Sequence, residues 1–194
     1  PLLKQTRLQF PQAKIHLMCR ENLGQLFLKE KLVDQLIEIK KGKSRSYKEA
    51  LLRLKGKVDL VISPHRSFRT ALFIRQIKPK QAVGYELWWN GPFFTDRLPY
   101  PAELPDALRQ LKLLALVSPD FKKQWGNYFF KGDLKGSKND PIVSFNDIHF
   151  PEWMSAQLKE WTPQGQVVCV APGSVWPTKR WPAAYFSELV SHLL

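Results

Sequence analysis

Over residues 1–85, short runs rich in β-branched residues alternate with segments of helical periodicity. Such alternation is typical of βαβ units, in which helices cover the faces of a parallel sheet. We expect strands at residues 14–18, 35–39, 58–63 and 81–85. We expect helices at residues 2–10, 22–29, 47–54 and 67–77. The sequence therefore predicts an α/β protein with a Rossmann-like parallel sheet.

The rest of the chain indicates a second, incomplete unit. After an irregular aromatic segment, residues 106–117 have the pattern of a helix, and a new β-to-α unit begins near residue 166. We expect an N-terminal domain at 1–118, a connection at 119–165 and the start of a C-terminal domain at 166–194. Because doubly wound domains start with a strand and this chain opens in a helix, we expect a further strand upstream of Pro1.

The charge of the chain points to an anionic partner. Lysine and arginine number 30 against 17 acidic residues, a formal net charge of +13. Sugar phosphates, lipid headgroups and nucleic acid all fit this charge, and the basic segment 40–57 also fits a solvated surface. No apolar run approaches the roughly 20 residues of a membrane-spanning helix, so we expect a soluble, unexported protein. Cys19 and Cys169 lie in apolar runs without metal-binding spacing, which favours buried free thiols.

The loop at residues 171–182, APGSVWPTKRWP, lies between an expected strand at 167–171 and an expected helix at 182–194. A helix N-terminus carries unpaired N–H groups that stabilise a phosphate. Gly173 would let the backbone approach a ligand, Ser174 and Thr178 would supply hydroxyls, and Lys179 a full charge. The residues around Lys179 do not match a Walker phosphate loop. An ordinary loop with its tryptophans in the core is the other interpretation.

A second group of polar residues, His65, Arg66, Ser67 and Arg69, follows the expected strand 58–63. Open α/β sheets bind ligands at the carboxyl ends of their strands, and arginine forks suit carboxylates and phosphates. A purely structural role in starting the next helix is the alternative. A nucleophilic Ser67 is disfavoured because no base and acid stand at a recognised spacing. The aromatic cluster Trp88, Trp89, Phe93 and Phe94 could contact sugar or lipid, but we expect it in the core.

Three segments resemble one protein family. The loop PGS followed by WPTKRWP is similar to the loop that opens the donor domain of the ADP-heptose:lipopolysaccharide heptosyltransferases, in glycosyltransferase family 9. The segment VDLVISPHRSFRTALF, residues 58–73, resembles part of that family's acceptor domain. The opening residues, the run FPQAKIHLMCR and the run at 83–85 occur in the family's order. The resemblance covers most of the chain outside residues 119–165.

The resemblance implies an inverting transferase of the GT-B type, with an N-terminal acceptor domain and a C-terminal domain that binds the nucleotide sugar. Heptose would pass from ADP-heptose to the lipopolysaccharide inner core, Kdo on phosphorylated lipid A or a heptosyl acceptor, without a metal or another cofactor. Ser174 and Lys179 match donor-binding positions, Gly173 and Thr178 lie in the same loop, and the basic residues after strand 58–63 would meet the acceptor. The family's catalytic aspartate would precede Pro1, so we expect this fragment alone to be inactive.

Alternatives remain open at this point. A related GT-B transferase could use another nucleotide sugar, because phosphate contacts do not select the sugar. A nucleic-acid-binding protein is suggested by the positive charge and the seven tryptophans, but no recognised nucleic-acid-binding motif is present, so we expect no nucleic acid partner. The third alternative is a non-catalytic family member that only binds glycolipid. The transferase interpretation places the protein in the cytoplasm, with peripheral contact to the inner membrane.

Overall fold

The computed structural model describes residues 1–40, 42–130, 170, 173, 178 and 180–193, with the backbone alone for residues 127–130. Contacts divide the chain into two units, Pro1–Ile148 and His149–Leu194. Each unit is described by itself.

The first unit alternates strands and helices in its described part. Its strands are β1 (His16–Arg20), β2 (Gln35–Ile39), β3 (Leu60–Ser63), β4 (Gln81–Tyr85) and β5 (Asp96–Leu98). Its helices are α1 (Leu2–Gln9), α2 (Gln25–Lys29), α3 (Ser44–Leu54), α4 (Phe68–Ile77), α5 (Asp106–Leu114) and α6 (Pro119–Phe130), with a 3₁₀ turn at Gly91–Phe93. In the second unit, α7 (Ala183–Leu193) lies where the sequence predicts a helix.

All described strand pairs are parallel. β1 pairs with β2, placing Met18 opposite Ile37. β4 lies between β3 and β5, so that Val83 is opposite Ile62 on one side and Asp96 on the other. Parallel pairing requires crossover connections, and α2 supplies the one between β1 and β2, as α4 does between β3 and β4. The predicted α/β fold with a parallel sheet is thus confirmed.

Strand β3 lies between two layers of helices. Its successive residues point to opposite faces, and Val61 packs in a cluster with α3 and α4, while Ile62 packs with α1, α5 and α6. The first cluster contains Ile37, Ile39, Ala50, Phe73 and Ile77. The second contains Leu2, Leu104, Leu108, Leu111, Leu114, Ala115 and Phe121. Strand β3 therefore contributes to both cores, which explains why its sequence, LVIS, is apolar at successive positions.

Helix α4 buries a different face from the one the sequence suggests. Phe68, Ala71, Leu72 and Arg75 recur at helical spacing in this segment, but the buried residues are Ala71, Phe73, Ile74 and Ile77. The segment is apolar on both sides, so periodicity alone does not decide which side turns inward. Its start is better defined, because the Ser67 side chain accepts a hydrogen bond from the Thr70 N–H and caps the helix.

Other sequence expectations need correction or lie outside the described residues. Trp88 is 96% exposed, so the expectation that the whole aromatic cluster is core is wrong for this residue, although Phe94 is buried. Cys19 is only partly buried, and the expected strand at 167–171 and Cys169 lie largely or wholly outside the described residues. Strand β5 was not anticipated, because its three residues include two charged ones. No helix in the described part of the chain is long and apolar enough to cross a membrane.

Candidate functional site

The candidate site lies where β3, β4 and β5 end. These strands run parallel and end at Ser63, Tyr85 and Leu98, so their carboxyl ends meet at one edge of the sheet. Open α/β sheets place their ligands beyond this edge, because the loops there can vary without disturbing the core. The residues that follow each strand are therefore the first candidates for ligand contact.

Two arginines share one aromatic ring at this edge. The guanidinium carbon of Arg66 lies 4.0 Å from the ring centroid of Tyr100, and that of Arg109 lies 5.0 Å from the same centroid. Arg66 comes from the loop after β3, Tyr100 from the loop after β5, and Arg109 from the first turns of α5. We call Arg66, Tyr85, Tyr100 and Arg109 the cationic edge. An aromatic face is attracted to guanidinium groups, so the ring holds both positive charges near it.

Tyr85 contributes a buried hydroxyl to the cationic edge. It is the last residue of β4, is 4% exposed, and packs edge-on against Tyr100 with 5.1 Å between the ring centroids. Its hydroxyl and the Nε of Arg109 are buried without a hydrogen-bond partner among the described residues. Burial, followed by the nearby Asp106 carboxylate, raises the pKa of Tyr85 to about 12. The phenol is therefore a neutral hydrogen-bond donor near two cations.

One acidic residue, Asp106, partly neutralises the positive charge of the cationic edge. The Asp106 carboxylate lies 3.4 Å from Nη2 of Arg109, whose side chain is 19% exposed, while that of Asp106 is 71% exposed. The ion pair holds one side of the Arg109 guanidinium and leaves its buried Nε unpartnered among the described residues. Arginine forks and a neutral phenol together suit a carboxylate or phosphate ligand.

Other residues predicted in the loop after β3 form a local hydrogen-bond network, and their assignment to the acceptor stays a prediction. His65 Nδ1 lies 2.7 Å from Thr70 Oγ1 and 3.3 Å from Ser67 Oγ, and Ser67 Oγ also donates to Thr70 Oγ1 over 3.0 Å. This network fastens the loop to the start of α4. Arg69, on the exposed side of α4, has no hydrogen bond, ion pair or ring contact among the described residues. The structure therefore joins Arg66 to the cationic edge and leaves Arg69 apart from it.

Of the four residues of the cationic edge, only Arg66 was predicted from the sequence, and Tyr85, Tyr100 and Arg109 were missed. A usable signal was present for the two tyrosines, because one ends a predicted strand and both stand beside the loops of the same sheet edge. The signal was hidden because β5 is too short to be recognised as a strand. Arg109 lies on a helix whose distance from β3 is known only from the fold.

The predicted donor loop is described only in part. Gly173 and Thr178 are both exposed, and a Cβ atom added at Gly173 would have no heavy atom within 4 Å. Ser174 and Lys179 lie outside the described residues, so their assignment stays a prediction. Trp181 packs on α7, with its ring 5.9 Å from Tyr185 and 5.3 Å from Phe186. Trp181 remains 54% exposed, so it is not a core residue.

Comparison with known proteins bears on the fold. The chain is similar to the crystal structure of the glycosyl transferase family 9 protein from Veillonella parvula DSM 2008, with a TM-score of 0.60 and 20% sequence identity. The similarity covers 100% of this chain and 54% of that one, so the chain spans about half the length of that structure. No model of a protein family matches the sequence. No curated protein matches it either. The expected GT-B type, Rossmann-like fold class is confirmed by this likeness.

Proposed function

We propose that the chain is part of an inverting glycosyltransferase that transfers heptose from ADP-heptose to the lipopolysaccharide inner core. The observation that carries the proposal is the cationic edge, which lies at the carboxyl ends of parallel strands in a fold shared with a family 9 glycosyl transferase. The inner-core acceptor is a sugar acid on a phosphorylated lipid, so it offers the carboxylate and phosphate groups that arginines bind.

In this proposal the first unit holds the acceptor. Arg66 and Arg109 would bind its anionic group, and the Tyr85 hydroxyl would donate a hydrogen bond to it. Two arginines and a neutral donor fix the orientation of a carboxylate, which brings the neighbouring sugar hydroxyl to a defined position. The residue that removes the proton from that hydroxyl would be the aspartate that the family resemblance places upstream of Pro1.

The donor would bind to the loop at residues 171–182. Gly173, Ser174, Thr178 and Lys179 would contact the diphosphate of ADP-heptose, with Lys179 neutralising charge as ADP leaves. No cofactor is needed for this reaction, because ADP-heptose itself supplies the activated sugar. The acceptor is made at the inner membrane, which would place the protein in the cytoplasm at that surface.

The test uses the complete gene product that contains this chain. It is incubated with Kdo-lipid A and with ADP-heptose or other nucleotide sugars, and the products are analysed by mass spectrometry. Addition of one heptose supports the proposal. Transfer only from another nucleotide sugar would assign a related transferase, and no transfer from any donor, with glycolipid still bound, would leave a binding protein.

A variant links the activity to the predicted donor loop. Lys179→Ala should weaken ADP binding by about tenfold or more, since a hydrogen bond to a charged group contributes about 1.5 to 3 kcal/mol. Isothermal titration with ADP measures this effect. Unchanged affinity would contradict the assignment of the loop to the diphosphate.

A further inference from the structure

Large apolar side chains are exposed on α3 and α4, and we call them, together with Trp88 in the segment after β4, the apolar strip. Phe68 and Leu72, one turn apart on α4, are 57% and 39% exposed, and Leu52 on α3 is 78% exposed. Phe68 contacts Trp89 and Phe93 edge-on, with centroid distances of 5.4 and 5.8 Å. Trp88, which precedes Trp89, is 96% exposed. Exposure of large apolar side chains to water is energetically unfavourable, so the strip indicates a surface that binds a partner.

A shallow groove with basic residues along it adjoins the strip. It lies between α3 and α4 and is lined by Leu51, Lys55, Leu72, Arg75, Gln76 and Lys78. Arg75 also lies over the Phe93 ring, 5.6 Å from its centroid, which connects the groove to the aromatic residues. We call this groove, together with Leu52, Phe68 and Trp88, the α3–α4 face.

The charge around the α3–α4 face is strongly positive. Residues 44–80 contain ten lysines and arginines but only two acidic residues, Glu49 and Asp59. Both acidic residues are already in ion pairs, Glu49 with Arg45 at 2.9 Å and Asp59 with Lys80 at 2.7 Å. The remaining cations are therefore not neutralised by carboxylates of the same segment.

We propose that the α3–α4 face docks on an anionic lipid surface, with Trp88, Phe68, Leu72 and Leu52 in the interfacial layer and the cations against the headgroups. Tryptophan and basic residues around leucines are the composition of membrane-surface elements. Exposed leucines distinguish this face from a nucleic-acid site, whose bases stack on flat side chains. The net positive charge disfavours a second copy of the same face.

This inference gives the proposed transferase a means of reaching a lipid-linked acceptor, and its evidence is separate from the cationic edge. Leu8 on α1 offers a matched control, because it is 60% exposed but its helix packs on the opposite side of the sheet. Lys4, exposed on the same helix, is the control for the lysines.

The test is flotation of the 194-residue chain with vesicles of phosphatidylcholine, alone or mixed with phosphatidylglycerol. We expect binding to the mixed vesicles and little to the neutral ones. Trp88→Ser should lower partitioning about tenfold, as expected for removing one large apolar side chain from the interface. Lys55→Gln and Lys78→Gln should each lower it about fivefold. Leu8→Ser and Lys4→Gln should leave it unchanged.

Three results would overturn the proposal. They are absence of binding to mixed vesicles, an equal loss in the Trp88→Ser and Leu8→Ser variants, and tighter binding of this face to a single-stranded oligonucleotide than to vesicles. Because ADP binding and sugar transfer do not enter the measurement, failure here would leave the proposed reaction standing. A failed transfer assay would likewise not contradict the proposed membrane-binding face.

Discussion

The guanidinium of Arg66 lies over the ring of Tyr100, 4.0 Å from its centroid, although 34 positions separate the two residues in the chain. Arg109 approaches the same ring, at 5.0 Å. Two cations on one ring repel each other, and a bound anion would offset that repulsion. Tyr100 is thus the residue that orients the site, and its ring rather than its hydroxyl is the part that contacts both arginines.

The ring can be tested separately from the hydroxyl. Tyr100→Phe should retain binding of the sugar acid Kdo to this chain, whereas Tyr100→Leu should weaken it about two- to fivefold, the range of an exposed cation–π contact. NMR titration with Kdo measures both. Equal loss in the two variants would show that the hydroxyl is the group that matters.

We expect Arg66 and Arg109 to contribute more to Kdo affinity than the Tyr100 ring does. Arg66→Ala and Arg109→Ala should each weaken Kdo binding about tenfold, because each removes a charge-assisted hydrogen bond. Arg69→Ala, which changes an arginine outside the cationic edge, should have a smaller effect. Arg53→Ala, an exposed arginine on α3, is the control and should bind normally. A larger loss of Kdo affinity in Arg69→Ala than in Arg66→Ala would show that the anion binds nearer to α4 than the cationic edge.

Tyr85→Phe removes a buried hydroxyl that has no partner among the described residues. Without ligand, the variant should be more stable by about 1 kcal/mol in urea denaturation, because the desolvation penalty of the hydroxyl disappears. Its Kdo affinity should nevertheless fall. Destabilisation on loss of the hydroxyl would show that the group is already satisfied in the free protein.

The same residue gives a pH dependence. The folded-state pKa of Tyr85, about 12, lies above the unfolded value near 10, so the unfolded chain loses its proton first as the pH rises. Titration of Tyr85 therefore leaves stability unchanged below about pH 10 and lowers it between about pH 10 and 12. Tyr85→Phe should therefore lose less stability than the unmodified chain over this interval. Parallel stability curves would contradict the burial of the phenol.

Asp34 gives the opposite dependence at low pH. Its Oδ2 accepts hydrogen bonds from Arg7 Nη2 at 2.7 Å and from the Ile15 N–H at 2.6 Å, which joins α1 to the starts of β1 and β2. The bond from Arg7, followed by that from Ile15, lowers the pKa of Asp34. The stabilisation is therefore present above about pH 4 and is lost as the pH falls through the lower folded value. Asp34→Asn should flatten this acid limb of the stability curve in urea denaturation.

Local sequence patterns predicted strands β1 to β4 and most helices because parallel α/β units repeat apolar runs with a fixed period. They could not predict which side of α4 is buried, since Phe68 and Phe73 are equally apolar and only the packing of α3 and β3 decides between them. The candidate site was only partly predicted, because local patterns do not show which segments the fold brings together. Arg66 follows a recognisable strand, but its contact with Tyr100 depends on the order of strands in the sheet.

Two glycines allow packing to be separated from ligand binding. A Cβ atom at Gly84 would lie 2.7 Å from Cε1 of Phe94, a buried ring, whereas a Cβ atom at Gly173 would stand in open space. Gly84→Ala should cost about 1 to 3 kcal/mol of stability through overpacking, and Phe94→Leu in the same chain should recover part of that loss. Gly173→Ala should leave stability unchanged but weaken ADP binding, if the donor loop must approach a diphosphate closely. Urea denaturation and ADP titration of both variants measure the two effects. If Gly173→Ala instead binds ADP normally, the diphosphate does not approach this glycine, and the donor site must be sought elsewhere in the second unit.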